Sequence, residues 1–328
     1  MSTPSTVFTE MVTTTDRTWG SKVTDNVSAH NALLNVMKRK GKIKTVSGGY
    51  EIAEPIEYAE NATYQRYAGY DNLDTSASDV LTTVKEEYRQ VALHVTASGR
   101  EIRMNMGSKE RMINLVKARK DNALKTAANQ FSIDLYSDGA LTNQIGGLAA
   151  KITTDGTGTV GGIASGTWTF WANAFKEMTG TNLAASPSVA NAVSMTGDMN
   201  TLWLNTTRGA DKPDLIVMSH DFYSLYEVGQ QDKQRYADSN LAKQGFTTLK
   251  YKGADVVFDD NSNFTTTQER AYFLNTDYLY LVQHRDAQWT MDDEKRPTNQ
   301  DAIVVPLYWM GNLVCTNRSL QGILFDAS

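Results

Sequence analysis

The stretch GTGTVG, Gly156 to Gly161, has the most chemistry-like spacing in the chain. It matches G-x-G-x-x-G, and Glu177 follows at about the distance of the acidic residue that holds a ribose hydroxyl in a dinucleotide site. In such a site the last glycine opens a helix whose amides face the pyrophosphate. Here GIASGTW intervenes before a helix can begin, so the pattern reads better as a surface loop, with a nucleotide-dependent enzyme as the alternative. Ser219-His220-Asp221 has the residue types of a nucleophile relay, but neighbours in sequence cannot aim at one another in the required order, and the serine reads as a helix N-cap before DFYSLY. His30, His94, His220 and His284 show neither HxxxH nor HxxE spacing, so no metal site is expected. Asp259-Asp260 and Asp292-Asp293 stand beside expected turns, where aspartate serves the backbone. Cys315, the only cysteine, has Arg318 as its one cationic sequence neighbour and reads as a small buried hydrophobe. No catalytic, cofactor or metal residue is assigned, and no enzymatic activity is expected.

At 328 residues the chain exceeds the size at which one hydrophobic core stops growing, so two lobes or more are expected. Lys and Arg total 32 against 37 Asp and Glu, a mildly acidic balance that argues against a binder whose affinity rests on neutralising phosphates. A lone cysteine leaves neither an internal disulfide nor a CxxC pair, which fits a reducing compartment. No stretch approaches the roughly 18 apolar residues of a membrane span. MSTPSTVFTEMVTTTDR lacks the basic start and apolar run of a signal peptide, so a soluble, unexported protein is expected.

Residues 1–24 are rich in Thr and Ser and read as an extended arm. DNVSAHNALLNVMKRKG reads as a short helix ending at Gly41. From Lys42 to Ser98 the pattern is β, but the stretch holding Tyr50, Tyr58, Tyr64, Tyr67 and Tyr70 has few aliphatic residues and must lean on something else. Ile113, Val116, Ala123, Ala127, Phe131 and Leu135 recur at three- and four-residue spacing, which predicts a helix over 112–135 about 36 Å long. Beyond Gly139 the order is a Gly-rich loop, helices over TWTFWANAFKEM and VSMTGDMNTLWLNT, a strand PDLIVMS, a helix HDFYSLYEVGQQ and a strand KGADVVFDD, an α/β lobe. ERAYFLNTDYLYLVQH, AIVVPLYWMG and NLVCTNRSLQGIL return to β.

One charge feature stands apart. Between Arg100 and Lys125 bases outnumber acids, whereas Glu51, Glu54, Glu57 and Glu60 make the polar β arm acidic. Two readings stay open: both are solvated faces, or one copy's arm lies across another copy's long helix. In the second, the glutamates face Arg103, Lys109, Arg111 and Lys117, and Tyr58, Tyr64 and Tyr67 supply the apolar anchors.

Polar arm, short helix, long β loop, strut helix, α/β lobe and returning strands, in that order, resemble the tailed-phage major capsid protein family. TVGGIASGTWTFWANAF resembles the loop and Trp-bearing helix opening the apical lobe, KPDLIVMSHDFYSLYE its central strand and following helix, and NQDAIVVPLYWMGNLVCTNRSLQGIL the closing strands. The resemblance implies an α+β, Hong Kong 97-like fold: N-terminal arm and short helix over 1–41, extended β loop and first peripheral strands over 42–98, spine helix over 99–138, apical domain over 139–266 and returning peripheral strands over 267–328. In that arrangement the last strand pairs near YRQVALHV. The resemblance further implies hexamers and pentamers of this chain tiling an icosahedral shell in a virion. Such a shell assembles in the host bacterial cytoplasm around double-stranded DNA held without sequence-specific contacts. Portal, separate scaffolding and decoration proteins are the implied partners, with no cofactor and no membrane. An encapsulin-like cargo shell is the alternative within the same fold. The sequence departs from some members in lacking a long N-terminal helical scaffolding segment, and Lys42 and Lys44 do not argue for a covalent cross-link.

Overall fold

The computed structural model describes residues 32–105, 115–179, 188–230, 249–259 and 269–326. The expected arm over 1–24 lies outside them. Helix α1, Ala32–Arg39, buries Ala32, Leu33, Val36 and Met37 on one face and carries Lys38 and Arg39 in its last turn, where cations suit the helix dipole. Gly41 takes a φ of 66°, and the Lys42 amide returns to the Met37 carbonyl at 2.9 Å, closing the helix where the sequence placed its end.

Two sheets follow. Strands β1 (Ile43–Val46), β12 (Leu279–Met291), β13 (Ala302–Cys315) and β4 (Arg89–Ser98) form one, in the order β1-β12-β13-β4. Strands β7 (Ala174–Glu177), β14 (Gly322–Asp326), β11 (Glu269–Leu274), β8 (Leu215–Met218), β10 (Ala254–Phe258) and β9 (Leu249–Tyr251) form the other, in the order β7-β14-β11-β8-β10-β9. The returning strands are thus divided between the sheets, a correction to the expectation that all of 267–328 rejoins the first. β11 pairs with β8 and β14, whereas β13 pairs with β12 and β4. YRQVALHV meets AIVVPLYWMG, with Gly311 opposite Arg89 and Ala302 opposite Ser98, and the last strand, Gly322–Asp326, lies instead between β7 and β11 of the six-stranded sheet. The break between β11 and β12 has a polar cause. Asp214 accepts from the Thr276 amide and hydroxyl at 2.8 and 2.6 Å, and the Gln321 side chain bridges the Asn275 amide and carbonyl at 2.9 and 3.1 Å.

TWTFWANAFKEM is not the expected helix. Thr169–Trp171 forms a single 3₁₀ turn and Ala174–Glu177 is strand β7. The buried Trp171 indole donates to the Val160 carbonyl at 2.9 Å, and the Asn173 amide clamps both backbone groups of Thr153 at 3.0 and 2.8 Å. These contacts hold the chain extended just where AFKE, alternating in burial, pairs parallel with β14.

Helix α2, Gly99–Asn105, starts with a capping box: the Ser98 amide donates to Glu101 at 2.7 Å and the Glu101 amide to the Ser98 hydroxyl at 3.2 Å. Arg119 grips the same carboxylate at 2.8 and 3.1 Å, and its hydrogen bonds hold the Glu101 carboxyl down at about 2. Arg119 belongs to α3, Leu115–Tyr136, so the long helix is tied to the cap of the short one. Along α3, Ala127, Phe131 and Leu135 are buried at the expected spacing, and Phe131 meets Trp309 edge-on at 4.7 Å. A single apolar core runs from α1 through Phe131, Leu135 and Tyr136 to Leu281, Leu313 and Cys315 of one sheet and Leu215, Tyr272 and Ile323 of the other. On the opposite face of the six-stranded sheet, α5 (Val189–Asn205) and α6 (His220–Gln230) pack over Met195, Met199, Phe222 and Phe273.

One buried cation joins these parts. Arg318, in a 3₁₀ turn between β13 and β14, is 0% exposed. Its Nε donates to the Lys151 carbonyl at 2.6 Å, one terminal nitrogen to the Gly156 and Trp171 carbonyls at 3.3 Å each, and the other to the Thr153 hydroxyl and Thr157 carbonyl at 2.8 Å each. All five N–H donors of the guanidinium are satisfied by neutral oxygens. Desolvation lowers its pKa.

Two outcomes are expected. Arg318→Met strands these acceptors and costs about 3 kcal/mol or more, and Arg318→Lys, lacking the planar fork, costs less than Met but is not neutral. Calorimetric melting should rank wild type above Lys above Met; equal melting of all three would show that the cage carries no stability. The Cys315 thiol is buried and pushed up to about 12 by desolvation, so a disulfide reagent at pH 8 should label almost no native protein and one equivalent after denaturation. Rapid labelling of the native state would contradict this burial.

Candidate functional site

The hairpin of β2 (Ile52–Glu57) and β3 (Leu81–Glu86) pairs Ile52 with Glu86 and Glu57 with Leu81 and carries beyond it residues 58–80, most of them exposed. Its base is held in three ways. Ile52 is buried with Tyr280, Val282 and Val314, and Val84 with Ile163 and Trp171, so each side of the hairpin has its own small apolar seat. Lys151 of α4 (Leu148–Lys151) donates to Glu86 at 2.5 Å, an ion pair with both side chains almost entirely buried. Removing either partner would leave a charge in a dry place, which makes this contact a strong constraint on where the hairpin leaves the body.

The third support is the Gly-rich loop. Thr159–Val160 and Ile163–Ala164 form a minimal hairpin, β5 and β6, turned by Gly161 and Gly162 at φ 59° and 80°. The Lys85 amide donates to the Gly161 carbonyl at 2.9 Å, and a Cβ on Gly161 would lie 2.3 Å from Val84 Cγ1. The glycine is there because β3 approaches too closely for a side chain and the turn needs positive φ. GTGTVG therefore opens no helix. Its Gly156 and Thr157 carbonyls face Arg318, and Glu177 lies on an edge strand. Between the hairpin and this loop lies a cleft of about 420 Å³ lined by Tyr58, Leu81, Lys85, Trp168 and Phe170, where the Tyr58 ring meets Trp168 at 5.6 Å and Phe170 at 5.8 Å.

Beyond Tyr58 the loop is organised by short-range polar bonds. The Thr63 amide donates to Asn61, that of Ala68 to Asp71 and that of Ser76 to Asp74, at 2.9, 2.8 and 2.9 Å. Tyr64, Tyr67, Tyr70 and Leu73 are exposed.

The residues singled out for a contact between copies are placed unequally. Lys85 pairs with Glu51 at 2.8 Å, and Lys44 reaches Glu54 at 3.8 Å while lying over the Tyr280 ring, so these glutamates have partners within the chain. Glu57 and Glu60 are exposed and make no ion pair among the described residues. Arg103 pairs with Asp301 at 2.9 Å on the surface, Lys117 lies in the first turn of α3, and Lys109 and Arg111 lie outside the described residues. The hairpin's main supports, Glu86, Lys151, Gly161 and Arg318, were not read as such from the sequence, since their partners are 65 and more positions away for Glu86–Lys151 and 147 to 167 for the Arg318 cage.

The other motifs resolve into structural roles. Ser219 precedes α6 in the N-cap position, yet its buried hydroxyl makes no hydrogen bond, and His220 points to the adjacent Asp221 at 3.1 Å. Asp259 is buried and accepts from the Tyr136 hydroxyl at 2.8 Å, a core contact rather than a turn, whereas Asp292 accepts from the Asp293 amide at 2.9 Å as a turn residue would. Among the described residues no three His, Cys, Asp or Glu side chains gather as metal ligands, and no helix is long and apolar enough to cross a membrane.

No family model matches the chain, and no curated protein matches it in sequence. Solved structures do. The capsid asymmetric unit of cyanophage A-1(L) superposes with a TM-score of 0.65 at 14% identity, covering 94% of this chain and 96% of that one. The capsid of Myoviridae phage XM1 gives 0.62 at 11% identity, with the same coverage of 94% and 96%. An encapsulin, SrpI in its holo complex from Synechococcus elongatus PCC 7942, gives 0.55 at 7% identity, covering 93% and 91%. At these identities the similarity speaks for the fold, and it extends over nearly the whole of each chain. The chain has the α+β, Hong Kong 97-like fold of tailed-phage major capsid proteins.

Proposed function

We propose that this chain is the major capsid protein of a tailed bacteriophage, assembling as hexamers and pentamers into an icosahedral shell around double-stranded DNA. The observation that carries the reading is the hairpin: within a capsid fold, its base is locked by a buried ion pair while its far end displays Tyr64, Tyr67, Tyr70 and Leu73. Large aromatic groups on an extended loop lower the free energy only when a partner covers them. A net charge of −5 suits a wall that holds DNA without gripping it. In this reading the four-stranded sheet with α3 is the peripheral lobe and the six-stranded sheet with α5 and α6 the apical lobe, with β11 and β14 assigned to the latter. A portal, a separate scaffolding protein and a decoration protein are its proposed partners, and the shell forms in the host bacterial cytoplasm. A cargo-enclosing shell is the second reading, supported by the encapsulin's similar fold.

The loop's proposed partner is a neighbouring copy's basic segment around Arg103, Lys109, Arg111 and Lys117. Glu57 and Glu60 steer the approach and the exposed Tyr64 and Tyr67 carry the affinity, while Tyr58, packed on Trp168 and Phe170 of its own chain, fixes the start of the loop. Glu51 and Glu54, already paired within the chain, set the course of the hairpin.

Negative-stain microscopy of the purified chain, or of the chain co-expressed with its neighbouring genes, should show uniform closed shells; persistent monomers under both regimes would refute the shell. Nucleic acid in the particles favours the capsid, and a co-purifying protein cargo favours the alternative. The double variant Glu57→Lys, Glu60→Lys should melt like wild type, since exposed charges are worth about 0–1 kcal/mol each. It should nevertheless assemble roughly tenfold more slowly at low salt, with the difference narrowing as salt rises. Unchanged assembly kinetics at low salt would place these charges in solvent.

A further inference from the structure

Helix α5 has an unusual outward face. Its sequence, VANAVSMTGDMNTLWLN, contains one charged residue, Asp198, which is buried and paired with Lys176 at 3.4 Å. The side turned away from the sheet carries Val189, Val193 and Leu204, exposed by 58%, 66% and 63%, with Gly197, Asn200 and Thr201 between them. Among the described residues, Lys252 reaches its rim and donates to Asn200. A helix on a protein surface normally puts charges on its solvent side, whereas this one shows only small, uncharged polar and aliphatic groups there over several turns.

We infer that this face of α5 is a contact surface for a second copy of the chain. The inference rests on the shell reading above. Charge selects the kind of partner: a face with no charge offers nothing to a nucleic acid or to a strongly charged protein, and fits another neutral surface. Size selects the setting. A helix of 17 residues is about 25 Å long and about 10 Å wide, so it offers roughly 250 Å². A lasting two-body complex needs about 800 Å² per partner. A separate protein docked on α5 alone would dissociate readily, whereas a copy already held by other contacts faces it at high effective concentration, and a small patch then suffices. α5 and α6 pack on the outer side of the six-stranded sheet, so a neighbour pressed on α5 would align one apical lobe against the next.

The chain provides its own probe, because its single natural cysteine is buried. In Val193→Cys, maleimide should label the unassembled subunit at the rate of an open thiol, and in shells made of this chain alone the rate should fall to about a tenth or less. Independently, Val193→Glu with Leu204→Glu should leave the melting temperature of the subunit unchanged and raise the concentration needed for assembly about tenfold or more, since charge at the centre of an interface is disfavoured. Equal labelling in subunit and shell, with shells plainly present, overturns this contact and leaves the shell reading standing. Absence of shells under every condition overturns both. A thiol already protected in the free subunit would assign the face to the chain's own segments 180–187 or 231–248, and protection confined to particles containing other virion proteins would assign it to one of those; either result overturns the inference.

Discussion

A buried guanidinium caged by neutral oxygens is the constraint on which the rest of this fold depends. Arg318 is held by four backbone carbonyls and one hydroxyl drawn from the end of α4, the Gly-rich loop and the turn before β7. Burying a full charge is costly unless every donor is met, and here a planar fork with five donors meets five oxygens. Because those oxygens come from the end of α4, from a 3₁₀ turn and from an irregular loop, the cation fixes these three segments against one another. The same turn carries the chain from β13 in one sheet to β14 in the other, so the place where the lobes join is also where the Gly-rich loop is shaped.

From that point the physical argument runs outward to the hairpin. The ordered loop presents Gly161 to Val84, and Lys151, whose carbonyl serves Arg318, sends its ammonium to Glu86. One residue thus contributes to both networks, coupling the core cage to the hairpin base. The far end is organised by Asx-type bonds together with bonds across the loop, from the Ala62 amide to the Ser78 hydroxyl and from the Gln65 side chain to the Asn72 carbonyl, and it rests on a base held by buried contacts. The six-stranded sheet is built on a different principle, a hydrophobic sandwich of sheet and two helices in which α5 leaves Val189, Val193 and Leu204 exposed on its solvent side.

How much could be read from the sequence differs by element. α1 was legible because cap, apolar face, basic last turn and Gly41 agree within seventeen residues, and α3 because Ala127, Phe131 and Leu135 keep a helical period. TWTFWANAFKEM was misread because aromatic residues are compatible with either helix or strand, and the decision belonged to Val160, Thr153 and β14. The division of the returning strands was equally hidden: ERAYFL and YLYLVQH look like one β run, and the break comes from Asp214 and Gln321, far from it in sequence. The glutamates of the arm were visible as a charge pattern, but which of them had partners within the chain depended on Lys44 and Lys85.

Composition and periodicity therefore determined what is local: the mild acidity, the helices with matching caps, the β character of the termini, a tyrosine loop too poor in aliphatic residues to fold on itself, and an order of elements resembling a capsid protein. The tertiary structure alone decided which oxygens surround Arg318, why Gly161 is a glycine, that Glu86 rather than the glutamates of the arm anchors the hairpin, and which strand belongs to which sheet. The reason is the range of the interactions. Propensity, capping and turn chemistry act over a few residues and leave a pattern in the chain, whereas a buried cation or an ion pair is satisfied by groups more than sixty positions away, which no spacing records until the backbone has brought them together.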